Sequence, residues 1–205
     1  MYIPGDFSVS SEQQLLSFID EFSFASLIDN TLECTLLPLL QRREEGKILL
    51  EGHLARKNPQ SNSLDGREVL VLFQGPHAYI SPSWYHNAPA VPTWNYVVVE
   101  ARGSLHALND DDTRSILTSS ILKFDPELLD KKDILPDTLV DKLLPKITGL
   151  QVRVDSIAGK FKLNQNKSCE DQRLTLAELS QQSDHNARAL AEYWLAVSRD
   201  KSENC

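Results

Sequence analysis

Polar and apolar positions alternate along this chain in two distinct periods, and the switches between them mark out the elements. Ser10 or Ser11 followed by Gln13 or Gln14 forms a capping-box start, and Leu15, Leu16, Phe18, Ile19 and Phe22 supply one apolar face, so a helix is predicted over 11–22. Strands follow at 24–28 and 34–40, joined at Asp29-Asn30, and Glu44-Glu45-Gly46 turns the chain into a third at 47–53. Connections this short favour an antiparallel barrel over a parallel α/β sheet. The segment 55–60 reads as a short helix stopped by Pro59, and 68–74 as a buried strand leading into a loop. From Asn95 to Leu105, Val97, Val99, Ala101 and Gly103 alternate with Tyr96, Val98, Glu100 and Arg102, the period of a strand with one drier face. Asn109 and three aspartates cap a helix running to Leu122, and another helical piece covers 136–146. A strand at 149–157 leads into a lysine-rich block, and two helices then close the chain before an end at 198–205 that is expected to fray.

Composition narrows what such a fold can do. The chain has 205 residues, enough for one sizeable core with a small appendage, divided here as a main domain over 1–168 and a helical extension over 169–205. No apolar run approaches the roughly 20 residues that span a bilayer, and no signal-peptide pattern is visible, so a cytoplasmic protein without a membrane partner is expected. Cys34, Cys169 and Cys205 are few and scattered, which fits reduced thiols. Neither they nor the five histidines have metal-ligand spacing, so no metal site is expected. A net charge of −8 without a Lys/Arg-rich segment argues against a strong grip on nucleic acid.

Residues 74–96 hold two Trp, three Tyr and four Pro, although only 7% of the chain is aromatic. Flat, hydrogen-bonding side chains on a stiffened backbone suit a planar ligand, the bland alternative being an aromatic plug at one end of a barrel. Trp84, Tyr85, Trp94 and Tyr96 are candidates to wall such a ligand, with Gln74, His77, Ser81 and Asn95 to hydrogen-bond it. Lys160 and Lys162 alternate with Phe161 and Leu163, so both ammonium groups leave one strand face, where they repel unless an anion lies between them. Gln165 is a neutral donor nearby. His53, Arg56 and Asn58 follow a strand end, where an Arg fork can hold an anion bidentately or form a surface ion pair. No nucleophile–base arrangement stands out, so no catalytic residue is assigned.

Four blocks carry a resemblance. Met1-Tyr2-Ile3-Pro4, Gly52-His53-Leu54-Ala55-Arg56-Lys57-Asn58-Pro59-Gln60, the aromatic segment from Gln74, and Gly159-Lys160-Phe161-Lys162-Leu163-Asn164-Gln165-Asn166 closely resemble the PaiB family of FMN-binding negative transcriptional regulators, over residues 1 to about 170. The resemblance implies an α+β fold, a mainly antiparallel split β-barrel with peripheral helices and a C-terminal helical pair. It also implies FMN as cofactor, a homodimer with some of these site residues acting in trans, and a role with DNA or a regulatory partner. A flavin-dependent oxidoreductase acting on a small molecule is the alternative reading, and a haem-binding split barrel a further one.

Overall fold

Glu45 and Gly46 both take positive φ, 50° and 80°, between strands that pair Glu44 with Lys47. A two-residue hairpin whose central residues are both left-handed matches the twist of its strands, and the glycine makes the second position inexpensive. Local chemistry of this kind sets most of the element order in the computed structural model, which describes residues 1–62 and 64–199. The elements are β1 (Ser8–Val9), α1 (Glu12–Glu21), β2 (Phe24–Asp29), β3 (Cys34–Pro38), β4 (Leu40–Glu44), β5 (Lys47–Ala55), β6 (Glu68–Ile80), β7 (Thr93–Ala107), α2 (Asp110–Phe124), α3 (Asp137–Leu143), β8 (Ile147–Lys162), α4 (Cys169–Gln181) and α5 (His185–Arg199).

The chain forms two compact units. One comprises Leu16–Phe73 and Glu100–Ile157, the other Met1–Leu15, Gln74–Val99 and the chain from Ala158 onward. In the first, strand order runs β3-β2-β6-β7-β8-β5-β4. Its pairings are antiparallel, with Leu27 opposite Val71 and Leu50 opposite Val152. Phe18, Ile19, Leu27, Leu50, Phe73 and Leu150 are fully buried there, each worth about 1.5–3 kcal/mol relative to exposure. Asp29 anchors the β2–β3 turn: it accepts from Thr31 N (2.9 Å) and Thr31 Oγ1 (2.6 Å) and pairs with Arg67 (2.6 Å). Burial opposes the charge, but these bonds lower its carboxyl to about 2.

In the other unit, β1 pairs with β8, Ser8 opposite Lys160 and Val9 opposite Gly159. Phe161, Leu163, Leu179, Leu190, Ala191 and Trp194 are buried, and the rings of Phe161 and Tyr193 meet edge to face at 5.7 Å. Ser168 caps α4 by accepting from Asp171 N (3.2 Å).

Three expectations are corrected. β5 continues through Ala55, and Pro59 begins a short 3₁₀ turn, Pro59–Ser61, instead of ending a helix, because a residue without an N–H costs nothing at a first helical position. β6 runs on to Ile80, six residues beyond the expected strand. Val69, Val71 and Phe73 are buried before Gln74, and Pro76, Ala78 and Ile80 after it, with His77 and Tyr79 exposed, so the alternation shifts by one residue at Gln74-Gly75 and then resumes through a proline that reads as a breaker. The single strand expected over 34–40 is two, separated at Leu39, whose N–H donates to Ser23 O (2.9 Å). Cys34 is a free, exposed thiol. Of the end at 198–205, residues 200–205 lie outside the described residues.

Candidate functional site

Alternation along β7 divides its side chains. Asn95, Val97 and Val99 are buried, while Trp94 is exposed and Tyr96 half-buried. On β6 the outward residues are His77 and Tyr79, and Trp94 meets both, with ring centroids 5.6 Å and 6.3 Å apart. On β8 the outward residues are Lys160 and Lys162, with Phe161 and Leu163 buried behind them. The three strands therefore present one face on which aromatic rings and cations adjoin.

A cleft of about 250 Å³ opens there, lined by Gln74, Gly75, His77, Trp94, Tyr96, Val97 and Val98. Its walls are apolar and aromatic with few polar atoms at the edge, the usual make-up of a site for a flat ligand. Lys162 donates to Trp94 O (2.8 Å) and to Thr93 Oγ1. Burial, followed by the neighbouring charge of Lys160, lowers its pKa. Lys160 donates to Tyr2 O (3.3 Å), with its Nζ 5.9 Å from the Tyr2 ring centroid and 5.3 Å from that of Tyr96.

Of the residues proposed from the sequence, Gln74, His77, Trp94, Lys160 and Lys162 come together in this way. Asn95 does not join them: it is wholly buried on the other face of β7, and neither its Oδ1 nor its Nδ2 has a hydrogen-bond partner among the described residues. Ser81 accepts from Ser83 N (3.2 Å) and caps the 3₁₀ turn Pro82–Trp84, which packs on α4. Tyr85 accepts from Asn164 Nδ2 (3.3 Å), lies under Lys167 with 5.0 Å from Nζ to ring centroid, and has its hydroxyl pKa raised by burial. Gln165 accepts from Leu163 N (2.8 Å) and donates to Phe161 O, bracing the turn after β8.

His53, Arg56 and Asn58 belong to the other unit, and their hydrogen bonds are made within it. Arg56 donates through Nε to Pro145 O (2.7 Å) and through Nη2 to Ile147 O (2.8 Å). Asn58 donates to Thr35 Oγ1 (2.9 Å) and accepts from Gln60 N (2.9 Å). His53 is half-buried, which lowers its imidazole pKa. Sequence reasoning gave no site role to Tyr2, Tyr79 or Thr93. The β1–β8 pairing that brings the chain start to Lys160 involves two residues of β1, too few to leave a periodic signal. Among the described residues no group of three or more His, Cys, Asp or Glu could hold a metal ion, and no helix is long and apolar enough to cross a membrane.

A family model described as "Putative FMN-binding domain" matches residues 1–156. This chain belongs to that FMN-binding family. Among its PaiB-like relatives is the Bacillus subtilis (strain 168) "Protease synthase and sporulation protein PAI 2", 35% identical over 201 residues, which are 94% of this chain and 95% of the relative. Two solved structures are similar to this member of the family. The FAD and heme binding protein from Mycobacterium smegmatis has a TM-score of 0.55 at 14% identity, covering 81% of this chain and 78% of its own. The conserved hypothetical protein Rv2991 from Mycobacterium tuberculosis has a TM-score of 0.55 at 15% identity, covering 82% of this chain and 94% of its own. At such identities the likeness speaks to fold alone. The family member is α+β with an antiparallel split-barrel fold, as the resemblance implied.

Proposed function

We propose that this chain binds FMN on the aromatic face of β6, β7 and β8, and that it works as a homodimeric, cytoplasmic regulator of the PaiB type. The observation that carries the reading is the cleft beside Trp94 and Tyr96, with two lysines on the same face, in a chain of an FMN-binding family. The residues present fit the group: apolar and aromatic walls suit a tricyclic ring, Gln74 and His77 stand at the rim, and cations lie within the same sheet face. Bound FMN would supply a redox-active ring system. The chain's own part is to exclude water from that ring with Trp94, Tyr96 and Val98 and to orient its polar edge.

The homodimer rests on the exposed aromatic surface. Tyr2, Tyr79, Val91 and Trp94 are 82%, 48%, 74% and 52% exposed, and large apolar side chains left to water suit a contact with a second copy. The regulatory role is carried over from the family resemblance, without a basic surface to support it.

Titration of FMN followed by flavin fluorescence, together with the absorbance of the purified protein, tests the reading. Saturable binding at one FMN per chain is expected, and Trp94→Ala should weaken it. A protein that neither carries nor takes up flavin would overturn it, and a Soret band would point to haem instead.

A further inference from the structure

The outer face of β7 and β8 carries positive charge that its own contacts do not neutralise. Lys160 and Lys162 leave that face two residues apart, roughly 7 Å along the strand at the usual rise. The chain has 29 acidic and 21 basic side chains. Even so, among the described residues both ammonium groups are met only by neutral partners: the carbonyls of Tyr2 and Trp94, the hydroxyl of Thr93, and the rings of Tyr2 and Tyr96. An aromatic face holds a cation in place without cancelling its charge. The pair is thus fixed by groups that leave its field available. Burial and mutual repulsion already lower the pKa of Lys162, and the attraction of an anion between the two would offset both.

Tyr2 is the second element. It is 82% exposed, yet it is tied down, because its carbonyl accepts from Lys160 and its segment enters β1, which pairs with β8 at Ser8↔Lys160 and Val9↔Gly159. Gly159 leaves room for that pairing: a Cβ there would crowd the Val9 side chain of β1 as well as overlap the Leu15 side chain. A ring fixed over a cation and otherwise facing water is a wall that lacks its opposite surface.

We propose that Lys160 and Lys162, with Tyr2 as outer wall, form an anion subsite that takes a phosphate-monoester group. The cleft beside Trp94 and Tyr96 takes the planar part of the same ligand. The ring assignment rests on the flavin reading; the anion assignment stands on the lysines and Tyr2. The phosphate would thereby be held by these residues of one unit and not by Arg56, whose Nε and Nη2 are engaged with Pro145 and Ile147.

The test compares FMN with riboflavin, which lacks the phosphate, and adds inorganic phosphate as a ligand without a ring. Each is titrated against wild type, the double variant Lys160→Gln/Lys162→Gln, both single variants and Tyr2→Ala, by flavin fluorescence or by thermal shift. Wild type should prefer FMN over riboflavin by roughly ten- to a hundredfold, the scale of a lost charge-assisted contact. The double variant should lose most of that preference and each single variant part of it. Tyr2→Ala should narrow the FMN-to-riboflavin ratio, which a purely structural role would leave alone. The single variants decide the matter if the double variant does not fold. An unchanged FMN-to-riboflavin ratio in the lysine variants overturns the subsite while leaving flavin binding intact. If wild type binds no flavin, the phosphate arm decides: a melting temperature raised by phosphate in wild type but not in the lysine variants upholds the subsite, and equal shifts, or none, overturn it.

Discussion

Arg56 spends its guanidinium on two backbone carbonyls, Pro145 O and Ile147 O, just where β8 begins. Its alanine variant should therefore melt earlier, by the equivalent of about 1 kcal/mol for exposed charge-assisted bonds, with FMN affinity unchanged. Thermal denaturation and a flavin titration on the same sample check both halves, and a tenfold loss of affinity would return Arg56 to the binding site. Asp171 is another residue whose charge is fully employed. Its carboxylate accepts from His86 N (2.8 Å), Asn87 N (3.2 Å) and Asn87 Nδ2 (2.9 Å). Those bonds, the Asn87 side chain foremost and with desolvation opposing them, lower the carboxyl to about 2. A folded value below the unfolded one means the stabilisation is complete above the ordinary carboxylate pKa and lost as pH falls from about 4 towards 2. Asp171→Asn should lower the melting temperature at neutral pH and flatten its fall over that acid range; parallel curves for variant and wild type would refute the assignment. Side-chain type and alternation made the lysine pair legible from sequence. The partners of Arg56 lie about 90 positions away and those of Asp171 about 85, which no local pattern encodes.

At the scale of elements, close contact between β7 and β8 depends on Gly103. A Cβ at this position would fall inside the carbonyl group of Arg153, so the two strands could not keep their separation. Backbone atoms cannot step aside as a flexible side chain can. Gly103→Ala should destabilise the fold by about 1–3 kcal/mol, the usual range for overpacking, visible as a lower urea midpoint with an unchanged slope. A midpoint equal to wild type would show that the strands can part without cost. β7, β8, α1 and the C-terminal helices were all legible, because each repeats its period over several turns or pleats. β6 beyond Gln74 was not, since Pro76 hides a strand that the buried Pro76, Ala78 and Ile80 nonetheless complete. β1 was not either, because a pairing of two residues is decided by the partner strand. The aromatic block divided accordingly: Trp94 and His77, on long strands, reached the cleft, while Ser81 and Tyr85, in the connection after β6, serve the turn and the contacts near α4.

For the molecule as a whole, net charge and its distribution bear on the regulatory reading. Grip on DNA comes largely from cations that neutralise phosphates, and a chain at −8 approaches a polyanion against its own field. The C-terminal helices are the natural place to look for a reading surface, and two of their arginines, Arg173 and Arg188, are already committed. Arg173 pairs with Glu170 through two hydrogen bonds (2.8 and 3.1 Å), and Arg188 donates to the carbonyls of Gln182 (2.7 Å) and Ser183 (2.9 Å). Lys160 and Lys162 are the clearest uncompensated cations, but they share their face with rings suited to a small planar ligand rather than a duplex. Binding of the purified protein to promoter DNA should accordingly be weak and insensitive to sequence, with a dissociation constant of about 10⁻⁶ M or weaker at physiological salt. Gel-shift titrations with and without FMN, against matched promoter and random duplexes, measure this directly. If both duplexes bind alike and weakly, the regulatory reading needs a partner protein or a metabolite. A nanomolar complex with the promoter alone would mean that two copies assemble a basic surface strong enough to outweigh the net charge.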